Sequence, residues 1–146
     1  RKHKSNIALS SDFIVGFPGE NDKDFQDTMD LIHHVGFMNS YSFKYSPRPG
    51  TPAADREQIP IKVQDDRLKI MQTTLDQQQI DFNKKFLSKR LDVLISSPGK
   101  FEGQVKGKSE FNQSVAIPGN PNIIGDIVPV QITDISVHSL IGKAEV

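Results

Sequence analysis

The chain has no cysteine among its 146 residues. Disulfides, thiolate nucleophiles and cysteine-ligated zinc or iron–sulfur centres are therefore excluded within this stretch. It has no charge surplus either. Lys plus Arg and Asp plus Glu stand at 18 each. Any attraction to nucleic acid must then come from a local patch. No apolar run approaches the roughly 18 residues that a membrane helix requires. The basic start, Arg1 to Asn6, precedes only a short apolar stretch, so it does not read as a signal peptide. A cytoplasmic protein with no membrane partner is the expectation. There is no internal repeat and no low-complexity tract. The first residue is Arg, and a strand-like run follows within a few residues, which reads as a cut through a longer protein.

What is there falls into two unlike halves. Residues 7–17 read as a buried strand centred on Phe13, Ile14 and Val15, broken by Pro18-Gly19. A helix should follow. Asn21 is its N-cap, Asp22 and Asp24 suit the positive end of the dipole, and Gly36 stops it. Phe25, Met29 and Ile32, with Leu31 and Val35, supply the apolar stripe. Residues 40–45 alternate, with Tyr41, Phe43 and Tyr45 on one face. Strand, helix and strand make a βαβ unit with parallel strands. One helix cannot cover both faces of such a sheet, so the missing strands must lie upstream or in a partner.

Three prolines stiffen the loop Ser46-Pro47-Arg48-Pro49-Gly50-Thr51-Pro52. A long amphipathic helix then begins beyond Pro60. Its stripe is Leu68, Met71, Leu75, Phe82 and Phe86, and it should end near Leu87, with a polar, solvated opposite face. Beyond Ser88 the pattern becomes short strands separated by Gly and Pro: 91–95, 103–108, 114–117, 127–135 and 139–145. Five short strands in about sixty residues predict a small closed or half-closed barrel. The expected division is 1–58, an incomplete α/β piece; 59–87, a linker helix; and 88–146, the barrel.

Two loops attract attention as sites. Gly16-Phe17-Pro18-Gly19-Glu20 sits at the carboxyl end of a strand, where parallel α/β folds bind ligands. It lacks the Gly-Lys-Ser/Thr of a phosphate-binding P-loop, so a plain turn is the competing reading. Arg48 follows the second strand on the same side. Its guanidinium could hold an anion or simply be solvated. His33 and His34 point about 100° apart on a helix and cannot share one metal. Lys84, Lys85, Lys89 and Arg90 cluster where helix meets barrel, and Lys106 and Lys108 share one strand face. From Lys84 onward, eight basic residues face six acidic ones, a surplus of only two. Phe101 and Phe111 could stack on bases, or Phe101 could be core.

Ser11 to Glu20, followed by Phe43-Lys44-Tyr45-Ser46-Pro47-Arg48-Pro49-Gly50-Thr51-Pro52-Ala53-Ala54, resembles the radical-SAM methylthiotransferases, and most closely their MiaB type. Gly125 to Asp134 with Ser139-Leu140-Ile141-Gly142 looks like the TRAM domain that closes those enzymes. The resemblance covers the whole chain. It implies the last strands and helices of a partial TIM-like barrel, followed by a five-stranded, OB-like TRAM barrel. It implies [4Fe–4S] clusters, one on a Cys-x3-Cys-x2-Cys motif, that cleave S-adenosylmethionine. The implied reaction adds a methylthio group to C2 of N6-isopentenyladenosine at position 37 of tRNA.

This chain has none of those cysteines, so it holds no cluster ligand and should be inactive alone. Within it the resemblance implies S-adenosylmethionine near Ile14, Gly16 and Phe17. It implies tRNA, through the anticodon stem-loop, on Arg48, Lys84, Lys85, Lys89, Arg90, Lys106 and Lys108. A free-standing RNA-binding module from a split gene, a sister subfamily, and a barrel that merely scaffolds the catalytic part remain as competing readings.

Overall fold

A computed structural model describes residues 2–145. Leu9–Gln78 form one compact unit; of the other described residues, 2–8 and 79–145 form the second.

In the first unit, β1 (Ser10–Val15) and β2 (Asn39–Lys44) pair in parallel, with Ile14 opposite Phe43. The helix between them, α1, spans Asp22–Val35. Asn21 caps it as expected. Its side chain accepts from the Asp24 N–H, and the Asp24 carboxylate accepts from the Asn21 N–H, so two orphan donors are satisfied reciprocally. At the other end the Gly36 N–H donates to the Ile32 carbonyl. Met29 and Ile32 are buried, whereas Leu31 is 51% exposed and leaves the expected stripe. Next to Ile32 in sequence, it is turned about 100° away on the helix.

Phe13 and Val15 pack with Met29, Ile32, Phe37, Met71 and Leu75. The opposite sheet face is bare. Ile14 and Phe43 are each 55% exposed, and Tyr41 is 62% exposed. β1 is therefore shorter than residues 7–17 and is buried on one face only. Helices cover that face, and within the described residues nothing covers the other. The two strands make a two-stranded sheet of their own, and among the described residues no larger front barrel surrounds them.

The second helix, α2, spans Ile61–Lys84 and starts one residue after Pro60. In the first unit Gln78 satisfies two backbone groups at the end of α1. Its amide donates to the Ile32 carbonyl (2.8 Å) and its oxygen accepts from the Phe37 N–H (2.9 Å). The helix stops three residues before the expected Leu87. Lys85, Phe86 and Leu87 tighten into i→i−3 turns. Ser88 then turns left-handed, and its N–H donates to the Ile132 carbonyl. No helix among the described residues is long and apolar enough to cross a membrane.

The second unit is a closed barrel of five strands: β3 (Arg90–Pro98), β4 (Gln104–Ser109), β5 (Ser114–Pro118), β6 (Ile127–Ile135) and β7 (Ser139–Ala144). Their order around the barrel is β3-β4-β5-β7-β6, with β5 and β7 parallel and the other pairs antiparallel. Closure leaves no open edge. Leu91, Val93, Ile95, Val105, Val115, Ile117, Val130, Ile132 and Leu140 point inward with period two and fill the interior. Asn83, at the end of α2, is also buried. Its Oδ1 accepts from Gln113 (2.8 Å) and its Nδ2 donates to the Val137 carbonyl, which fastens the helix end to the barrel.

Candidate functional site

Two separate sets of residues emerge, one in each unit. In the first unit the strand-end loop is built around Gly16, whose φ of 71° suits glycine. Its N–H donates to Glu20 Oε1 (3.0 Å), and its carbonyl accepts from Gln64 Nε2 (3.2 Å). A Cβ here would lie 2.5 Å from Gln64 Cγ. Arg67 closes the loop. It donates to Glu20 Oε1 (2.6 Å), to the Glu20 carbonyl (3.2 Å) and to Asp22 Oδ1 (2.8 Å). Its guanidinium lies 5.5 Å from the Phe25 ring. Burial works against its charge, but the hydrogen bonds that it donates to Asp22 and Glu20 outweigh burial and raise its pKa above the ordinary value.

Beside this loop, on the bare sheet face, lies a cleft of about 600 Å³ lined by Ile14, Phe17, Phe43, Tyr45 and Arg48, among others. Phe17 and Tyr45 meet edge-to-face at 5.1 Å. Ile14 and Phe17 thus share one cavity. Gly16 does not line it but packs against Gln64 instead. Arg48 joins Ile14 and Phe17 here, not the lysines with which the sequence grouped it.

Gln64 and Arg67 were missed by reading the polar face of α2 as solvated. Both are buried. The signal was spacing: positions 64, 67, 71, 75 and 78 fall on the same stripe as Leu68, Met71 and Leu75.

In the second unit, four of the clustered basic residues divide into two pairs. Lys84 faces Asp81 at 3.6 Å and Arg90 faces Glu145 at 3.0 Å. Lys85 and Lys89 lie over aromatic rings, 5.4 Å from Phe82 and 5.8 Å from Phe86. Lys106 and Lys108 stand on the outer face of β4 while Val105, Gly107 and Ser109 point in. Lys108 donates to the Asn112 carbonyl and to Ser114 Oγ. Phe101 is 66% exposed with the Lys100 ammonium 5.7 Å above it, so it is surface rather than core. Phe111 packs at 5.0 Å on Phe86.

His33 and His34 are exposed on the last turn of α1, and His138 Nδ1 meets Gln79 Oε1 at 3.1 Å. Among the described residues no three His, Asp or Glu side chains stand close enough to hold a metal. An iron–sulfur cluster is held by thiolates, and this chain has none, so its residues do not fit either cluster.

Residues 84–144 match the TRAM domain model, and a TRAM domain is present there. Over 98% of its length the chain is 51% identical to a tRNA-2-methylthio-N(6)-dimethylallyladenosine synthase of Rickettsia prowazekii (strain Madrid E), covering 33% of that protein. The enzyme of the same name from Rickettsia bellii (strain OSU 85-389) is 49% identical over 98% of the chain and 32% of its own length. That of Ehrlichia ruminantium (strain Welgevonden) is 49% identical over 97% of the chain and 33% of its own length. The chain therefore spans about a third of the length of these relatives.

Proposed function

We propose that this chain, about half identical to the carboxyl-terminal part of the tRNA-2-methylthio-N(6)-dimethylallyladenosine synthases, supplies the tRNA grip of such an enzyme. The carrying observation is that identity, spread over nearly the whole chain and continuous with a TRAM barrel. In this reading residues 1–58 are the last strands and helix of a partial TIM-like barrel that upstream residues complete. Residues 59–87 join it to residues 88–146, which hold the anticodon stem-loop. The bare face of β1 and β2 supports the first part: its apolar side chains suit a covered position.

The reaction is methylthiolation of C2 of N6-isopentenyladenosine at position 37 of tRNA, by clusters held elsewhere in the protein. The aromatic cleft fits the S-adenosylmethionine that the resemblance implies. Ile14 and Phe17 offer apolar walls for an adenine, and Arg48 offers a guanidinium fork for a carboxylate. When bound, S-adenosylmethionine supplies the radical on cleavage at a cluster. The task of this chain is to wall the cleft, keep the strand-end loop in place through Glu20, Gln64 and Arg67, and hold the RNA.

The test is fluorescence anisotropy of the 146-residue chain with a labelled anticodon stem-loop. Two or three phosphate contacts give a log–log salt slope of roughly −2 to −3. Lys106→Glu with Lys108→Glu should weaken binding at least tenfold, about 1.4 kcal/mol, with the barrel still folded and melting only slightly lower, because both side chains lie outside the barrel and only the exposed bonds of Lys108 are lost. Absent or salt-independent binding by the parent rejects the RNA grip. Unchanged affinity in the double variant makes β4 a scaffold face.

A further inference from the structure

Within the second unit lies another cleft, of about 450 Å³, lined by Phe82, Phe86, Leu91, Phe111, Lys85 and Lys89, with Ser5 to Ile7 along one side. Its chemistry is unusual for a solvated basic surface. Of the four clustered basic residues, Lys84 and Arg90 are spoken for by Asp81 and Glu145. Lys85 and Lys89 have no carboxylate partner among the described residues, and these are the two that line the cleft. Each already lies over a phenylalanine ring that forms its wall. Phe86 and Phe111 meet at 5.0 Å with their planes tilted by 50°, and Phe111 is only half-buried.

A ligand for this cleft must combine a flat apolar body with adjacent negative charge. A nucleotide does so: its base stacks on phenylalanine, and its phosphate meets an ammonium group. A duplex does not, because its bases are stacked and paired inside the helix. We infer that the cleft receives one unpaired ribonucleotide of an RNA, its base against the half-buried ring of Phe111, which Phe86 backs, and its phosphate on Lys85 and Lys89. The inference rests on the RNA-binding reading above and adds a distinct site to the outer face of β4.

The chain has no tryptophan. Phe111→Trp in the 146-residue chain therefore places a single indole in the cleft. Titration with a single-stranded oligoribonucleotide should quench its emission by more than half, and a blunt duplex of the same sequence should not. In the background that keeps Phe111, Lys85→Gln with Lys89→Gln should weaken single-strand binding at least tenfold by anisotropy. It should also make the salt slope shallower by about 1.4, two contacts at 0.7 each.

If these variants bind as the parent does while Lys106→Glu with Lys108→Glu abolishes binding, the cleft is not a nucleotide site and the RNA grip stands on β4 alone. If duplex and single strand bind equally through Lys85 and Lys89, the lysines read only phosphate and the base pocket is rejected. If a poly-glutamate peptide quenches the indole and RNA does not, the ligand is an acidic protein. If the parent binds no RNA, both readings fall together.

Discussion

Gly107→Ala should cost the barrel at least about 3 kcal/mol and lower its melting temperature by more than about 12 °C. The reason lies in what a methyl group at this position would meet. A Cβ built there lies 2.1 Å from the Leu94 carbonyl oxygen, 2.7 Å from its carbon and 2.9 Å from the Ile95 Cα. These are all backbone atoms, so no side chain can swing away. Nor is β3 free to retreat. Leu94 is paired to Lys108 on one side and to Ile127 on the other, and its place in the closed ring is fixed from both. The register also shifts between Ile95 and Ser97, immediately beside the Ile95–Gly107 pair. Overpacking costs about 1–3 kcal/mol where side chains absorb part of the strain; here the backbone must absorb it. Gly142→Ala should be milder. Its nearest neighbour, at 2.4 Å, is Val130 Cγ1, a side-chain atom that can give, although the Gln131 carbonyl oxygen follows at 2.6 Å. Gly107 separates Lys106 from Lys108, so the same substitution should also weaken RNA binding. Thermal melts by circular dichroism rank the two variants. A Gly107→Ala barrel that melts within 2–3 °C of the parent would mean that β3 and β4 separate at little cost.

The contrast between these glycines shows which features a sequence exposes. Local chemistry was legible. Asn21, Asp24 and Gly36 mark both ends of α1 because capping depends on neighbours within four residues. The five strands of the barrel were legible from alternation and from the Gly and Pro between them. Their order was not. The parallel pairing of β5 with β7, and the contact of Gly107 with Leu94, arise only when the ring closes. The end of α2 was misplaced for the same reason: the N–H of Ser88 goes to Ile132, far along the chain. The run Phe13-Ile14-Val15 reads as doubly buried, yet Ile14 stands bare. Among the described residues nothing covers that face, so hydrophobicity alone did not tell one buried face from two. At the basic cluster, residue type was legible and availability was not. The Lys84–Asp81 pair follows from helical spacing, but Arg90 is neutralised by Glu145 near the other end of the chain. Arg67 was missed because charge on a helix usually means solvent.

Arg67→Met should therefore cost about 3–5 kcal/mol in the unit formed by Leu9–Gln78, the range for breaking one side of a buried ion pair. Most of that cost belongs to Glu20. Its side chain is nearly as buried as that of Arg67, and without the guanidinium its carboxylate loses its cationic partner and keeps the Gly16 N–H as a donor. Asp22 contributes little, because its carboxylate is fully exposed and a surface pair is worth under about 1 kcal/mol. Arg67→Lys should recover only part of the loss. One ammonium cannot reach the Glu20 carbonyl, Glu20 Oε1 and Asp22 with the planar fork that now spans them. The informative variant is the pair Arg67→Met with Glu20→Gln. Glutamine keeps an oxygen to accept the Gly16 N–H but carries no charge. If the uncompensated carboxylate is the main cost, the double variant is more stable than Arg67→Met alone. Urea unfolding of the three proteins measures the order, and exchange of the Gly16 amide reports whether the loop stays closed. Should Arg67→Met unfold at the parent's urea concentration, the ion pair holds nothing. The loop would then depend on its other links, the Gly16 N–H to Glu20 and the Gln64 amide to the Gly16 carbonyl, and Gln64→Ala would become the next variant to try for opening it.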